Sequence, residues 1–241
     1  MNFRELSLYL NNEDEAEQYL IKSGILKHFD KCLICGSSHL GRVRRGKHKC
    51  YGCNTEWNLR KGSFIERRKI SLGEFIGVLK FFSDGVSATR CAEELGVGIK
   101  PTGDIYADIR KALFVYKPFV LNDSHKAIFF IKEVQEQVVI ELADAAIKND
   151  DTSEFIAIRS RDANSSYSFN FNYKTKRSKN FLRNIEKIDR LDNFFRFCQE
   201  RLLTYRGRDM NSLYYTLQEL AFRYNHRRED FFNILINKLT Y

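Results

Sequence analysis

Apolar residues recur along this chain at two periods, and each change of period marks a new segment. From residue 3 to 29 the spacing is helical, through Leu6, Leu8, Tyr9, Ala16, Tyr19, Leu20, Ile25 and Leu26. The acidic run Glu13-Asp14-Glu15 sits where the positive end of a helix dipole favours carboxylates. Helical spacing returns at Ser71-Leu72-Gly73-Glu74, a capping box opening an apolar run through Phe75, Val78, Leu79, Phe81 and Phe82. Asp84-Gly85 closes that helix, and Ser87 caps a second with Ala88, Cys91, Ala92 and Leu95 on one face. After the turn Gly96-Val97-Gly98-Ile99, a third helix opens at Lys100-Pro101-Thr102, where Pro101 suits the first turn. It continues through Ile105, Tyr106, Ile109, Leu113 and Phe114, giving a helix-turn-helix pattern over residues 71–117.

Beyond Lys117-Pro118 the period falls to two. KAIFFIKEV, QVVIELA, EFIAIRS and SYSFNFNY read as strands, the last with Tyr167, Phe169, Phe171 and Tyr173 on one face. LADAAIKND reads as a short helix among them, and from Asn180 the helical period resumes to the end. The fold class expected is α+β and multidomain. The segments are a helical lead-in (1–30), a cysteine-bearing module (31–70), the helix-turn-helix (71–117) and a small mixed sheet packed with helices (118–241).

Chemistry enters with Cys32-Leu33-Ile34-Cys35 and Cys50-Tyr51-Gly52-Cys53, two C-x-x-C turns fourteen residues apart. Each turn aims two thiolates at one point, and a hairpin between them brings both pairs to a single tetrahedral metal. Cys32, Cys35, Cys50 and Cys53 are thus the expected ligands of a structural zinc in a zinc ribbon. Two disulfides are the alternative, but they need an oxidising compartment, and MNFRELSLYL has no secretory-signal pattern. Trp57 and Phe64 are expected to pack on the ribbon's sheet, and Cys91 and Cys198 to be core thiols. His48 is expected to be a polar or phosphate-facing residue, four cysteines already completing a tetrahedron.

The net charge of +9 changes the picture of the ribbon. Arg42, Arg44, Arg45, Lys47, Lys49, Arg60, Lys61, Arg67, Arg68 and Lys69 crowd residues 40–70 against only Glu56 and Glu66. So one-sided a module is the electrostatic footprint of a phosphate-backbone binder. Arg42, Arg44, Arg45, Lys47, Arg67 and Arg68 are the expected phosphate contacts. Lys100, Thr102 and Asp104, polar residues in the first turn of the third helix, are the expected groove contacts. Double-stranded DNA is the partner expected, a homodimer is admitted, and no apolar run is long enough to span a bilayer. The protein is expected to be intracellular, in the cytoplasm or nucleoid of a prokaryote or the nucleus of a eukaryote. An RNA-binding ribbon is the weaker alternative, since the deep, narrow major groove of duplex RNA does not admit a helix.

The order C-x-x-C, basic hairpin, C-x-x-C, a Gly-Ser-Phe-Ile-Glu segment and a helix-turn-helix ending in Ile-Arg-Lys-Ala-Leu resembles the N-terminal half of the Merlin superfamily. It equally resembles the bacterial zinc-ribbon insertion-sequence transposases. DNFFRFCQERLLTYRG and LYYTLQELAFRYNHRRED resemble the closing helices of the same families. The resemblance covers about residues 25–115 and 188–230. It implies a transposase with an RNase H-like core in which three carboxylates hold two divalent metals, Mg2+ being a cofactor only if that core is active. Carried over by position, the acids are Asp123, Asp162 and Asp192.

The middle of the chain departs from that pattern. Asp123 lacks the family's Gly-Gly loop, and the strict register places Ser160 where the second acid belongs, reaching Asp162 only with two residues inserted. Two metals about 3.5–4 Å apart do not tolerate a missing ligand. The expectation is therefore a degenerate or domesticated transposase-like protein, with a reduced core, that binds terminal-repeat-like DNA with weak or absent catalysis. The alternative is an active compact transposase that cleaves DNA and transfers strands.

Overall fold

A computed structural model describes residues 1–114, 127–134, 137–144, 154–161, 166–172, 194, 197–198 and 210–240. The chain divides into two compact units, Met1–Leu113 with Glu229–Tyr241, and Phe114–Arg228.

In the first unit the lead-in forms two helices, α1 (Phe3–Asn11) and α2 (Glu13–Lys22). Asn2 and Glu5 make a capping box on α1, and Asn12 caps α2 by accepting from the amides of Asp14 and Glu15. The acidic run thus occupies the first turn of α2, as its charge requires. Three short strands follow, β1 (Leu40–Val43), β2 (Lys47–Cys50) and β3 (Glu56–Asn58), in an antiparallel sheet ordered β1-β2-β3. A single 3-10 turn, Arg44–Gly46, joins the first two, and Gly46 supplies its left-handed residue at φ +64°.

The helices α3 (Leu72–Ser83), α4 (Ala88–Leu95) and α5 (Ile99–Leu113) come next. The Ser71–Glu74 capping box and the Ser87 cap are both present. The last helix of the chain, α7 (Phe231–Leu239), is capped by Asp230 and completes this core. Its Phe232, Leu235, Ile236 and Leu239 join Leu20, Ile25, Phe75, Ile76, Leu79, Phe82, Ile105 and Ile109 in one buried cluster. Grouping all of residues 118–241 together is corrected here: Glu229–Tyr241 belongs with the N-terminal unit. The apolar period of α7 showed that it must bury a face, but not which core would receive it.

Close helix approach in this core depends on small residues. A Cβ at Gly73 would lie 2.2 Å from the Tyr9 carbonyl oxygen, so α1 crosses α3 at a distance only glycine allows. A Cβ at Gly77 would lie 2.9 Å from the Leu95 side chain of α4, a looser approach than that at Gly73.

The second unit contains β4 (Ala127–Val134), β5 (Gln137–Asp144), β6 (Glu154–Arg161), β7 (Ser166–Asn172) and the helix α6 (Met210–Asn225). All four expected strands form, in the order β5-β4-β6-β7. The mixed sheet expected is corrected: every pairing is antiparallel. Connections as short as residues 135–136 and 162–165 leave no length for the crossover that parallel neighbours need. The register places Leu142, Phe129, Ile156 and Phe171 in one cross-strand row. Leu142–Asp144 lie in β5 rather than in the short helix expected, whose other residues lie outside the described ones. Packed against β5, α6 buries Tyr215, Leu217, Leu220, Ala221 and Tyr224. Phe194 and Cys198 are buried as well, and Cys91 is buried in the first unit. None of the described helices is long and apolar enough to cross a membrane.

Candidate metal centre and basic surface

Two near-identical turns build the cysteine site. The Cys32 amide donates to the Ser37 carbonyl (2.8 Å), and five residues apart in the same way the Cys50 amide donates to that of Thr55 (2.9 Å). Each turn needs a left-handed residue directly after its second cysteine. Gly36 provides one at φ +71° and Asn54 the other at φ +58°, asparagine being among the few side chains that tolerate this region.

The two turns meet with all four sulfurs within 4.8 Å of one another. Cys32 and Cys53 Sγ are 3.5 Å apart, and Cys35 and Cys50 Sγ 3.6 Å apart. A tetrahedron with metal–sulfur bonds of about 2.3 Å has sulfur–sulfur edges of about 3.8 Å. The cluster is therefore shaped to hold one metal ion. Cys32 and Cys50 are buried, Cys35 and Cys53 exposed, so the site is closed on its sheet side. The nearest pairs link one turn to the other.

The surrounding groups tune the thiols unequally. The Thr55 hydroxyl, 3.2 Å from Cys53 Sγ, and then the Thr55 amide bring the Cys53 thiol down to about 6. At Cys35 the Ser37 amide pulls downward, but the sulfurs of Cys53 and Cys50 outweigh it and hold the thiol up at about 12. Thiols competing for protons at this spacing are arranged for a cation to replace those protons.

The sheet face behind the metal site carries a small core of its own. Cys32, Cys50 and Trp57 pack together with Phe29 and Leu40. His48 stacks on Trp57 with ring centroids 5.8 Å apart and meets Phe29 edge-on at 5.3 Å. Burial, and then the nearby Arg42 guanidinium, lowers the His48 pKa. His48 is therefore half-buried packing rather than a phosphate-facing residue, since its strand register turns it to the Trp57 side. Trp57 packs as expected, but Phe64 joins the helical core and meets Phe75 at 6.1 Å. Sequence spacing separates ribbon from helix by position, whereas Phe64 reaches back into the unit it introduces.

The expected phosphate contacts divide by their partners. Arg42 pairs with Glu17 of α2, Arg68 pairs with Asp108 of α5, and Lys47 lies 3.6 Å from Glu56. Arg44 and Arg67 are exposed and have no ion-pair partner among the described residues. Arg45 is described in its backbone alone. Of the expected groove contacts, Thr102 is 0% exposed and its hydroxyl donates to the Gly98 carbonyl (2.9 Å). It cannot reach a base edge, because it lies one turn before Ile105 and Tyr106 on the buried face of α5. Lys100 is exposed and pairs with Asp104 at 3.1 Å. Asp123, Asp162 and Asp192 lie outside the described residues.

One contact had no signal in the sequence. Glu13 accepts from the amides of Leu72 (2.8 Å) and Gly73 (3.4 Å), placing a carboxylate of α2 on the N-terminus of α3. Glu13 sits about sixty residues from its partners, beyond any local pattern. Comparison with family models, curated proteins and solved structures finds no match to the chain.

Proposed function

We propose that this protein is a transposase-like DNA-binding protein that holds one structural zinc through Cys32, Cys35, Cys50 and Cys53. The ribbon grips the phosphate backbone, and α4–α5 act as a helix-turn-helix beside it. One observation carries the reading: four sulfurs converge on a single tetrahedron within residues 31–55, a segment with six Lys and Arg and no Asp or Glu. Four thiolates are a soft donor set suited to zinc, and they leave no open position for catalysis at the metal. The ion would hold the two turns together, because three strands of three or four residues bury too little to fold alone.

The reading includes weak or absent catalysis. Where the resemblance puts the family's second acid, β6 carries Ser160, paired in register with Tyr167. A hydroxyl does not supply the carboxylate clamp that two Mg2+ ions require. The test is twofold. Purified protein should contain one zinc per chain and bind terminal-repeat duplex with an affinity that falls steeply with salt. It should leave that duplex uncut in Mg2+ or Mn2+. Salt-independent binding sinks the DNA reading, whereas cleavage that vanishes in Asp192→Ala restores the active enzyme.

A further inference from the structure

We propose that the outer side of the two cysteine turns is a stacking platform for unpaired bases of a DNA strand running off the bound duplex. This deepens the DNA-binding reading above and rests on it. The platform is Tyr51 of the second turn with His39 beside it, and the first turn adds the exposed Leu33 and Ile34. Leu33 is 46%, Ile34 70% and Tyr51 49% exposed, a concentration of large apolar groups around a site of four short residues.

Tyr51 is held in place. A Cβ at Gly41 would lie 2.6 Å from the Tyr51 ring, so the ring lies over a notch that only glycine leaves open. Its amide donates to the His39 carbonyl (2.9 Å), and the two rings are 5.1 Å apart. A ring held by Gly41 and His39 that is still half exposed is preorganised for a flat partner, because little side-chain freedom is lost on stacking.

Charge selects the partner. Gly41 pairs with Lys49 in the sheet register, so Lys49 projects on the face that Tyr51 covers. Lys31 is exposed next to Cys32, and residues 31–55 contain no acid. Aromatic and apolar groups interleaved with cations suit a chain that alternates bases with phosphates, with Glu56, the register partner of Lys49, offsetting only part of that charge. Duplex DNA, whose base faces are stacked internally, would use the cations and leave the platform bare.

The experiment uses the full zinc-loaded chain and two fluorescent DNAs, a blunt duplex and the same duplex with a single-stranded oligo-dT overhang. The overhang should bind more tightly than the blunt end. Tyr51→Ala should remove that advantage, weakening overhang binding by about fivefold or more while blunt-duplex affinity stays within about twofold. Tyr51→Phe should keep it. Zinc content equal to the parent's establishes that each variant retains its site. A Tyr51→Ala variant that binds both DNAs like the parent overturns the inference and leaves the platform to a protein partner. Equal loss on both DNAs also overturns it, assigning Tyr51 to the duplex. If the parent binds neither DNA, the DNA-binding reading itself has failed.

Discussion

The ribbon and the helix trio α3–α5 differ in charge before any pairing is considered: residues 31–55 hold six Lys and Arg and no acid, whereas residues 71–113 hold five against six acids. On the helices nearly every exposed cation has an acid within reach. Lys100 lies 3.1 Å from Asp104, Arg90 3.6 Å from Glu94, and Lys111 3.8 Å from Asp108. On the ribbon, Arg42 is paired with Glu17 and Lys47 approaches Glu56, but Arg44 and Arg67 stand exposed and unneutralised among the described residues. Counting cations along a sequence overstates what a surface offers, because a paired cation must give up its partner before it can bind phosphate. The ribbon is the stronger electrostatic surface. The helices offer shape.

The two regions also differ in what holds them, and the largest expected effect follows. The helix trio rests on an apolar cluster joined by α7, whereas the ribbon has only Cys32, Cys50, Trp57 and their two neighbours. Cys50→Ser should remove a structural-zinc contribution of order 10 kcal/mol and unfold residues 31–58. The helices should keep their cooperative transition. Hydrogen exchange resolves the two, with fast exchange expected in β1–β3 and protection retained in α3 and α5. Protection unchanged in the strands would show that the ribbon does not depend on its metal.

The converse lesion strikes the helices. Phe75 is fully buried, and Phe75→Ala should destabilise the unit by about 3–5 kcal/mol. Gly73→Ala adds one methyl against the Tyr9 carbonyl and should cost about 1–3 kcal/mol by forcing α1 off α3. Both are measured by denaturant unfolding, and zinc per folded chain should stay at the parent's value. A loss of zinc in parallel with stability would mean that the two regions fold as one.

Much of this organisation was legible beforehand because it is local. The paired C-x-x-C turns, the Ser71–Glu74 box, the Ser87 cap and the four strands depend on residues within a few positions of one another. What escaped depends on distance. Glu13 on the α3 N-terminus, Arg42 against Glu17 and α7 in the N-terminal core join residues far apart in sequence. Thr102 shows a subtler limit: a polar side chain one position off the exposed face is buried, and its backbone bond to Gly98 makes that burial tolerable. The short connections require antiparallel pairs only within the hairpins β4–β5 and β6–β7; the β4–β6 pairing, which decides that the sheet is not mixed, has no local signal.

A smaller effect separates the two surfaces as DNA contacts. Neutralising one phosphate contact flattens the slope of log affinity against log salt by about 0.9. Arg44→Ala and Arg67→Ala should each do so. Lys100→Ala should change the slope less, because Asp104 already offsets its charge, and should act instead on sequence preference. Equal slopes for all three variants would erase the distinction between free and paired cations.

The smallest effect is also the sharpest, because it runs opposite to the others. Arg68 belongs to the ribbon's basic tail, but its guanidinium is held by Asp108 of α5, with Asp104 at 3.9 Å. Asp108→Asn removes one acid beside the basic tail and releases one cation without adding any positive group. A half-exposed pair of this kind is worth only about 0–1 kcal/mol, so stability should barely move. DNA affinity should rise modestly at low salt, and the salt slope should steepen by up to about one phosphate contact. Arg68→Ala in the same background restores the parent's net charge and should cancel the gain. If Asp108→Asn leaves the slope where it was, Arg68 does not face the DNA, and the basic surface ends at Arg67.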